Sequence, residues 1–169
     1  MFWISFVICL VCFCLRAAYN HSKFMQRRFV GSKHATTAIN VNMAVLWAAW
    51  FSMNFWDPIR ATLPAWLRYA GLLLFVAGIS LFVFGDIAMR GLTSGKKLVT
   101  TGIFSKIRHP VYLGFVLWVI GFPVFMQGML TLASAAIWIS FFLYWKHLEE
   151  CELERKYPEY GNYKKRTWF

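Results

Sequence analysis

Between Lys97 and Tyr112 the chain reads KLVTTGIFSKIRHPVY, which sets basic and hydrogen-bonding side chains directly against the start of an apolar helix. A second polar run, HLEECELERKYPEY, follows the last apolar stretch. If the fold joins them, Arg108 and His109 meet the adjacent carboxylates Glu149 and Glu150 where transmembrane helices reach water. Ionisable groups at such a helix mouth are costly, so their meeting has one of two uses. One is an interfacial ion network, with Arg108 reaching lipid phosphate and the glutamates pairing with Lys106 or Lys146. The other is a polar pocket that holds a ligand through charge-assisted hydrogen bonds.

The elements that must position these groups follow from composition. At 169 residues, 59% hydrophobic and 20% aromatic, the chain has more apolar surface than one soluble core can hide, and a bilayer is its expected solvent. Apolar windows fall at about 1–19, 39–56, 66–89, 111–126 and 129–145, near the ~20 residues of a spanning helix. An all-α, multi-pass bundle of about five spans is therefore expected, as one domain over residues 1–169. The last two windows, separated only by Gln127 and Gly128, predict a tight helical hairpin.

The net charge of +11 is distributed as a membrane protein distributes it. Arg16, Lys23, Arg27, Arg28 and Lys33 lie between the first two spans, and Arg90, Lys96, Lys97, Lys106 and Arg108 between the third and fourth. Six more basic residues follow the fifth span, whereas the second and third spans are joined with only Arg60 and Arg68. This alternation predicts an outside N-terminus, a cytosolic C-terminus and both polar runs on the cytosolic face. The basic segments suit anionic lipid head groups better than nucleic acid. With no basic n-region ahead of it, the first apolar stretch is expected to stay as a span. Cys9, Cys12 and Cys14 within it read as small packing residues, and Cys151 as a reduced cytosolic thiol. No metal site, glycine-rich nucleotide fingerprint or nucleophilic triad is evident.

Glycines at positions 71, 78 and 85, and again at 114 and 121, recur every seven residues. A seven-residue step returns to nearly the same helix face, drifting by roughly 20°, so these glycines predict seams of close helix packing. Asp86 and Arg90 are spaced to pair along the third span, the alternative being that Asp86 faces the site. The segment from Gly91 to Ser105 is expected to fold back over the helix ends. Pro110 suits the first turn of the fourth span. Beyond Trp145 the fifth helix is expected to continue as an amphipathic extension, with Glu150 and Glu154 on one face and Pro158 as its stop.

Leu98-Val99, Gly102-Ile103-Phe104, Arg108-His109-Pro110-x-Tyr112-x-Gly114, and Glu149-Glu150 followed by Leu153, Tyr157, Tyr160 and Tyr163 occur in that order, with a helical hairpin between the halves. In this series, over residues 96–163, the sequence resembles the isoprenylcysteine carboxyl methyltransferase and phospholipid methyltransferase superfamily of integral membrane enzymes. The resemblance implies an S-adenosylmethionine pocket on the cytosolic side. It places the cofactor against Lys96, Lys97, Leu98, Val99, Phe104, His109, Pro110, Val111, Tyr112 and Glu150. His109, Glu150 and Arg108 would stand at the reacting centre, with Arg108 either meeting the ligand carboxylate or holding Glu149. Lys146 and Glu149 would face the acceptor, Lys146 being equally suited to an interfacial anchor.

The chain departs from the family in having no recognisable motif in its first three spans, Lys146 as its basic residue near the end of span five, Cys151 after the acidic pair, and little sequence beyond Tyr163. The implied activity is methyl transfer to a lipid-soluble acceptor, most like carboxyl O-methylation of isoprenylcysteine, in contact with membrane lipids. Phospholipid amines and small thiols are alternative acceptors. A non-catalytic protein with a lipid-binding basic face is the alternative class, and a reductase-like relative a remote one.

Overall fold

The computed structural model describes residues 1–25, 32–92 and 98–169, and within 90–92 the backbone only. Lys96, Lys97 and the expected Asp86–Arg90 pair thus lie outside the described residues, wholly or on the arginine's side. Helices α1 (Phe2–Phe24), α2 (Lys33–Phe55), α3 (Ala65–Leu92), α4 (Pro110–Met126), α5 (Met129–Lys156) and α6 (Tyr160–Arg166) follow one another, with a 3₁₀ turn at Gly102–Ser105. All five apolar windows fall in helices. Three helices, α1, α3 and α5, are long and apolar enough to cross a bilayer by length and composition. The other two differ from the five-span expectation for separate reasons. α2 has 23 residues but carries Thr36, Thr37, Asn40, Asn42 and Asn54, and α4 is apolar throughout but has only 17 residues.

The ordering of the bundle is dictated by which faces are smooth. α3 and α4 form its closest pair, along the glycine seams. A Cβ on Gly78 would sit 2.7 Å from the carbonyl oxygen of Gly114, and one on Gly71 2.8 Å from that of Gly121. Only glycine permits that backbone approach. The other helices interlock through rings. Phe13 of α1 stacks between Trp138 and Trp145 of α5, at 4.8 and 5.4 Å, and Trp47 of α2 stacks on Trp118 of α4 at 4.7 Å. The opposite face of α1, with Trp3, Ile4, Val7, Val11 and Leu15, stays exposed, as do Trp66, Leu73, Val76 and Phe84 of α3. Outward apolar faces of this extent fit a lipid solvent. Cys9 and Cys12 are buried in the core, and Cys9 Sγ donates to the carbonyl of Leu46.

Each end of the bundle is organised by an arginine. At one end α2 runs into α3 and α4 turns into α5. The α4–α5 turn is as tight as expected, with Gln127 in the left-handed region at φ 62°. Arg60 donates to the carbonyls of Asn54, Phe55 and Met126 at 2.7, 2.8 and 2.6 Å, closing the free C-terminal carbonyls of α2 and α4. Asp57, buried beside it, accepts from the backbone N–H and the hydroxyl of Thr131, both at 2.7 Å. In the sequence Arg60 reads only as a flanking charge, and this far-end lock was not foreseen. The opposite end gathers the C-terminal ends of α1, α3 and α5 and the N-terminal ends of α2 and α4, and it carries both polar runs.

Candidate functional site

The site is built on the start of α4. His109 is its N-cap residue and Pro110 occupies its first turn, where a missing N–H leaves nothing unsatisfied. The approach to it is fixed by the C-terminal tail. Arg108 N–H donates to the carbonyl of Trp168 at 3.0 Å, and Trp168 N–H donates to that of Lys106 at 2.8 Å. Arg108 Nη1 donates to the carbonyls of Thr167 and Lys164 at 2.5 and 2.9 Å. Tyr163 hydroxyl donates to the carbonyl of Phe104 at 2.6 Å, so α6 holds the 3₁₀ turn over the helix ends. The described part of the α3–α4 connection therefore folds back as expected. The clamp by the tail was not expected, because backbone carbonyls accept the bonds and leave no mark on residue type.

α5 runs unbroken through Trp145 to Lys156 and carries both glutamates to this end. Glu150 and Glu154 share a face, and Lys164 bridges them at 3.0 and 3.1 Å, which keeps its ammonium protonated above the ordinary lysine range. Glu150, 8% exposed, is enclosed by bases. Its Oε1 lies 3.2 Å from His109 Nε2, 3.4 Å from Arg108 Nε and 3.9 Å from Lys146 Nζ. Burial pushes the His109 imidazole down to about 4, outweighing the upward pull of Glu150, with Lys146 and Arg108 adding to the push. The ring is therefore neutral at physiological pH. Its Nε2 also stands 3.5 Å from the Tyr160 hydroxyl. Arg108 thus meets Glu150, not Glu149 as one expectation had it.

Adjacent helical residues point about 100° apart, and here that angle separates two jobs. Glu150 faces the ion cluster and lines none of the cavities around it, whereas Glu149 lines three. The first, of about 300 Å³, lies inside the bundle among Arg16, Met43, His109, Val111, Tyr112, Phe115, Trp145 and Glu149. The second, of about 180 Å³, lies under the 3₁₀ turn and α6, walled by Leu98, Val99, Phe104, Leu153, Tyr157, Tyr160 and Tyr163. These two share Met89, Phe104, Arg108, His109 and Glu149 as a common wall. A third, of about 270 Å³, joins Glu149 to Lys23, Glu152 and the outer side of Arg16. Tyr112 and Glu149 are hydrogen-bonded to each other.

Placed on this geometry, Leu98, Val99, Phe104 and His109 line the smaller cavity, and His109, Pro110, Val111 and Tyr112 line the larger. Lys146 lines none of the three; its ammonium lies 4.3 Å from the Phe169 ring and 3.9 Å from Glu150. Sequence reasoning missed the contribution of the first two helices. Arg16, expected in a connection, is inside α1 and in the wall of two cavities, as is Trp145 of α5. The available signal was a single cation ending an apolar helical run.

An all-helical membrane bundle with a polar, aromatic-walled pocket at one end defines an integral membrane protein. Its sequence places it more narrowly. Residues 66–160 match the family model for phospholipid methyltransferases, a match that reaches back through α3 beyond the motif series. The chain is also 31% identical over 125 residues to the protein-S-isoprenylcysteine O-methyltransferase of Rattus norvegicus, covering 67% of this chain and 43% of that protein. The protein therefore belongs to the phospholipid methyltransferase family, within the superfamily that also holds the isoprenylcysteine methyltransferases. The chain spans less than half the length of that relative. No solved structure matches it significantly.

Proposed function

We propose that the protein transfers a methyl group from S-adenosylmethionine to a lipid-soluble acceptor, most like the carboxyl group of an isoprenylcysteine. The observation that carries this reading is the common wall of Arg108, His109 and Glu149 between one cavity lined by the 3₁₀ turn and α6 and another lined by α1, α2 and α5. A water-borne cofactor and an apolar acceptor need such a pair of cavities.

The residues present fit the cofactor. Leu98, Val99, Phe104 and Tyr157 form an apolar and aromatic wall suited to adenine. Glu149 is a carboxylate in that wall for an ammonium or ribose hydroxyls, and Arg108, in the same wall, is held there by Glu150 at 3.4 Å. When bound, S-adenosylmethionine supplies an electrophilic methyl on a sulfonium that leaves as a neutral thioether. The protein's work is then alignment. An anionic acceptor needs no base, which agrees with a His109 held neutral beside Glu150 to orient groups by hydrogen bonding. Opposite charges fade as the methyl moves, and a water-poor pocket favours that. Glu150 takes the role of fixing Arg108, His109, Lys146 and Lys164, and Glu149 that of the ligand-facing acid. The alternation of basic segments supports a cytosolic position for this end and an outside N-terminus.

The test is transfer of a labelled methyl group by the purified protein in bicelles to a farnesylated cysteine, with phosphatidylethanolamine and a small thiol as rival acceptors. Labelling of the prenylated carboxylate above the rivals is the expected result. Labelling of none, by protein that binds the cofactor, would discard all three acceptor classes.

A further inference from the structure

The wall of the larger cavity that faces α1 carries two polar groups without a hydrogen-bond partner. Arg16 Nε is buried and completes no hydrogen bond, and Trp145 Nε1, in the walls of the same two cavities, is in the same state. The Arg16 guanidinium carbon lies 6.0 Å from the centre of a Trp145 ring and 5.8 Å from that of Tyr19, so the aromatic faces hold the cation in place. Among the described residues no carboxylate lies within ion-pair distance of it. Buried donors are otherwise almost always satisfied, and a cation without an anion inside a membrane bundle is costly. Around these two donors the cavity wall is apolar at Met43, Val111 and Phe115, and polar at His109, Arg108 and Glu149, the last hydrogen-bonded to Tyr112.

We infer that Arg16 and the Trp145 indole N–H form an anion-binding subsite that seats a carboxylate at the head of an apolar chain, and so set which acceptors bind. The inference rests on the methyltransferase reading for the word acceptor, but not for the site itself. Arg16 lies outside residues 66–160, so this determinant comes from a helix that the family match does not cover. Lys146, the acceptor contact expected from the sequence, is occupied by Glu150 and lines neither cavity. The methionyl carboxylate of the cofactor has the same chemistry as an acceptor carboxylate, and the experiment separates the two.

Binding of N-acetyl-farnesylcysteine and of its methyl ester is measured on the detergent-purified full chain, beside binding of S-adenosylmethionine. Wild type is expected to prefer the free carboxylate. Arg16→Gln should weaken carboxylate binding about tenfold or more, Trp145→Phe about threefold, and neither should move ester binding. Arg16→Lys, which keeps the charge, should restore part of the preference and shows that loss is not misfolding. Cofactor affinity should stay within about twofold of wild type in all three, well below the loss of a charged hydrogen bond. Equal loss of cofactor affinity would move the subsite to the cofactor and overturn the inference, as would an unchanged carboxylate preference in Arg16→Gln. Carboxylate preference in a protein that binds no cofactor would sink the methyltransferase reading and leave the subsite standing.

Discussion

The two ends of the bundle use the same residue types to opposite effect. At the far end Arg60 and Asp57 are fully matched: three helix-terminal carbonyls take the guanidinium and Thr131 takes the carboxylate. At the site end Arg16 Nε and Trp145 Nε1 are buried without a hydrogen bond in the wall of a cavity, while Arg108 Nε and Glu150 Oε1 have only each other's charge at 3.4 Å and His109 beside them. Asn54 Oδ1, Trp50 Nε1 and Trp118 Nε1, away from the site, are also unmatched, but none of the three cavities reaches them. A completed network fixes chain geometry, while an uncompleted one beside a cavity leaves room for water or a ligand to complete it.

The sharpest way to break this contrast is to remove a matched group. Asp57→Ala strands Thr131 and should cost about 3 kcal/mol of stability, with ligand affinity unchanged in the molecules still folded. Thermal unfolding and cofactor titration of the same sample read the two quantities separately. A fall in affinity without loss of stability would mean that the far end is not merely a lock.

At the site end the adjacent glutamates should divide in the reverse sense. Glu149→Gln is expected to weaken cofactor binding on the order of a hundredfold and leave the melting temperature nearly unchanged. Glu150→Gln leaves Arg108, Lys146 and Lys164 without their shared anion and should cost about 2 kcal/mol of stability, with a smaller effect on affinity. The opposite division would make Glu150 the ligand-facing acid and Glu149 the structural one.

How much of this was legible in the sequence depends on the range over which each feature is decided. The start of α4 at Pro110, the extension of α5 to Lys156 just short of Pro158 and the glycine seams follow from local periodicity and turn chemistry, and all are present. The division between Glu149 and Glu150 was not legible, because the rotation of α5 is set by Phe13 and Phe115 packing on its other faces. Arg16 reads one element too late, since a cation near the end of an apolar run marks a boundary as readily as a wall. The tail's hold on Arg108 and the Arg60 lock both run through backbone carbonyls, which every residue possesses.

Two smaller effects sharpen the contrast. His109 has its imidazole held at about 4, below its ordinary value, so the unfolded chain binds the proton more readily than the folded one between those limits. Its share of stability is complete above about pH 6.5 and falls as pH drops toward 4, by on the order of 2 kcal/mol. Melting curves across that window should show the slope in wild type and a shallower one in His109→Gln. Tyr163→Phe removes the bond that holds Phe104 under α6 and should cost about 1 kcal/mol, with cofactor affinity lowered about threefold. No change in affinity would show that the 3₁₀ turn is held without α6.

The most direct test of a Glu149-lined cofactor pocket is calorimetric titration of S-adenosylmethionine into the purified protein in lipid nanodiscs, with S-adenosylhomocysteine as competitor. Saturable, competed binding at one site per chain, largely abolished in Glu149→Gln, is the expected result. Absence of binding by well-folded wild type, or binding indifferent to Glu149, would contradict it.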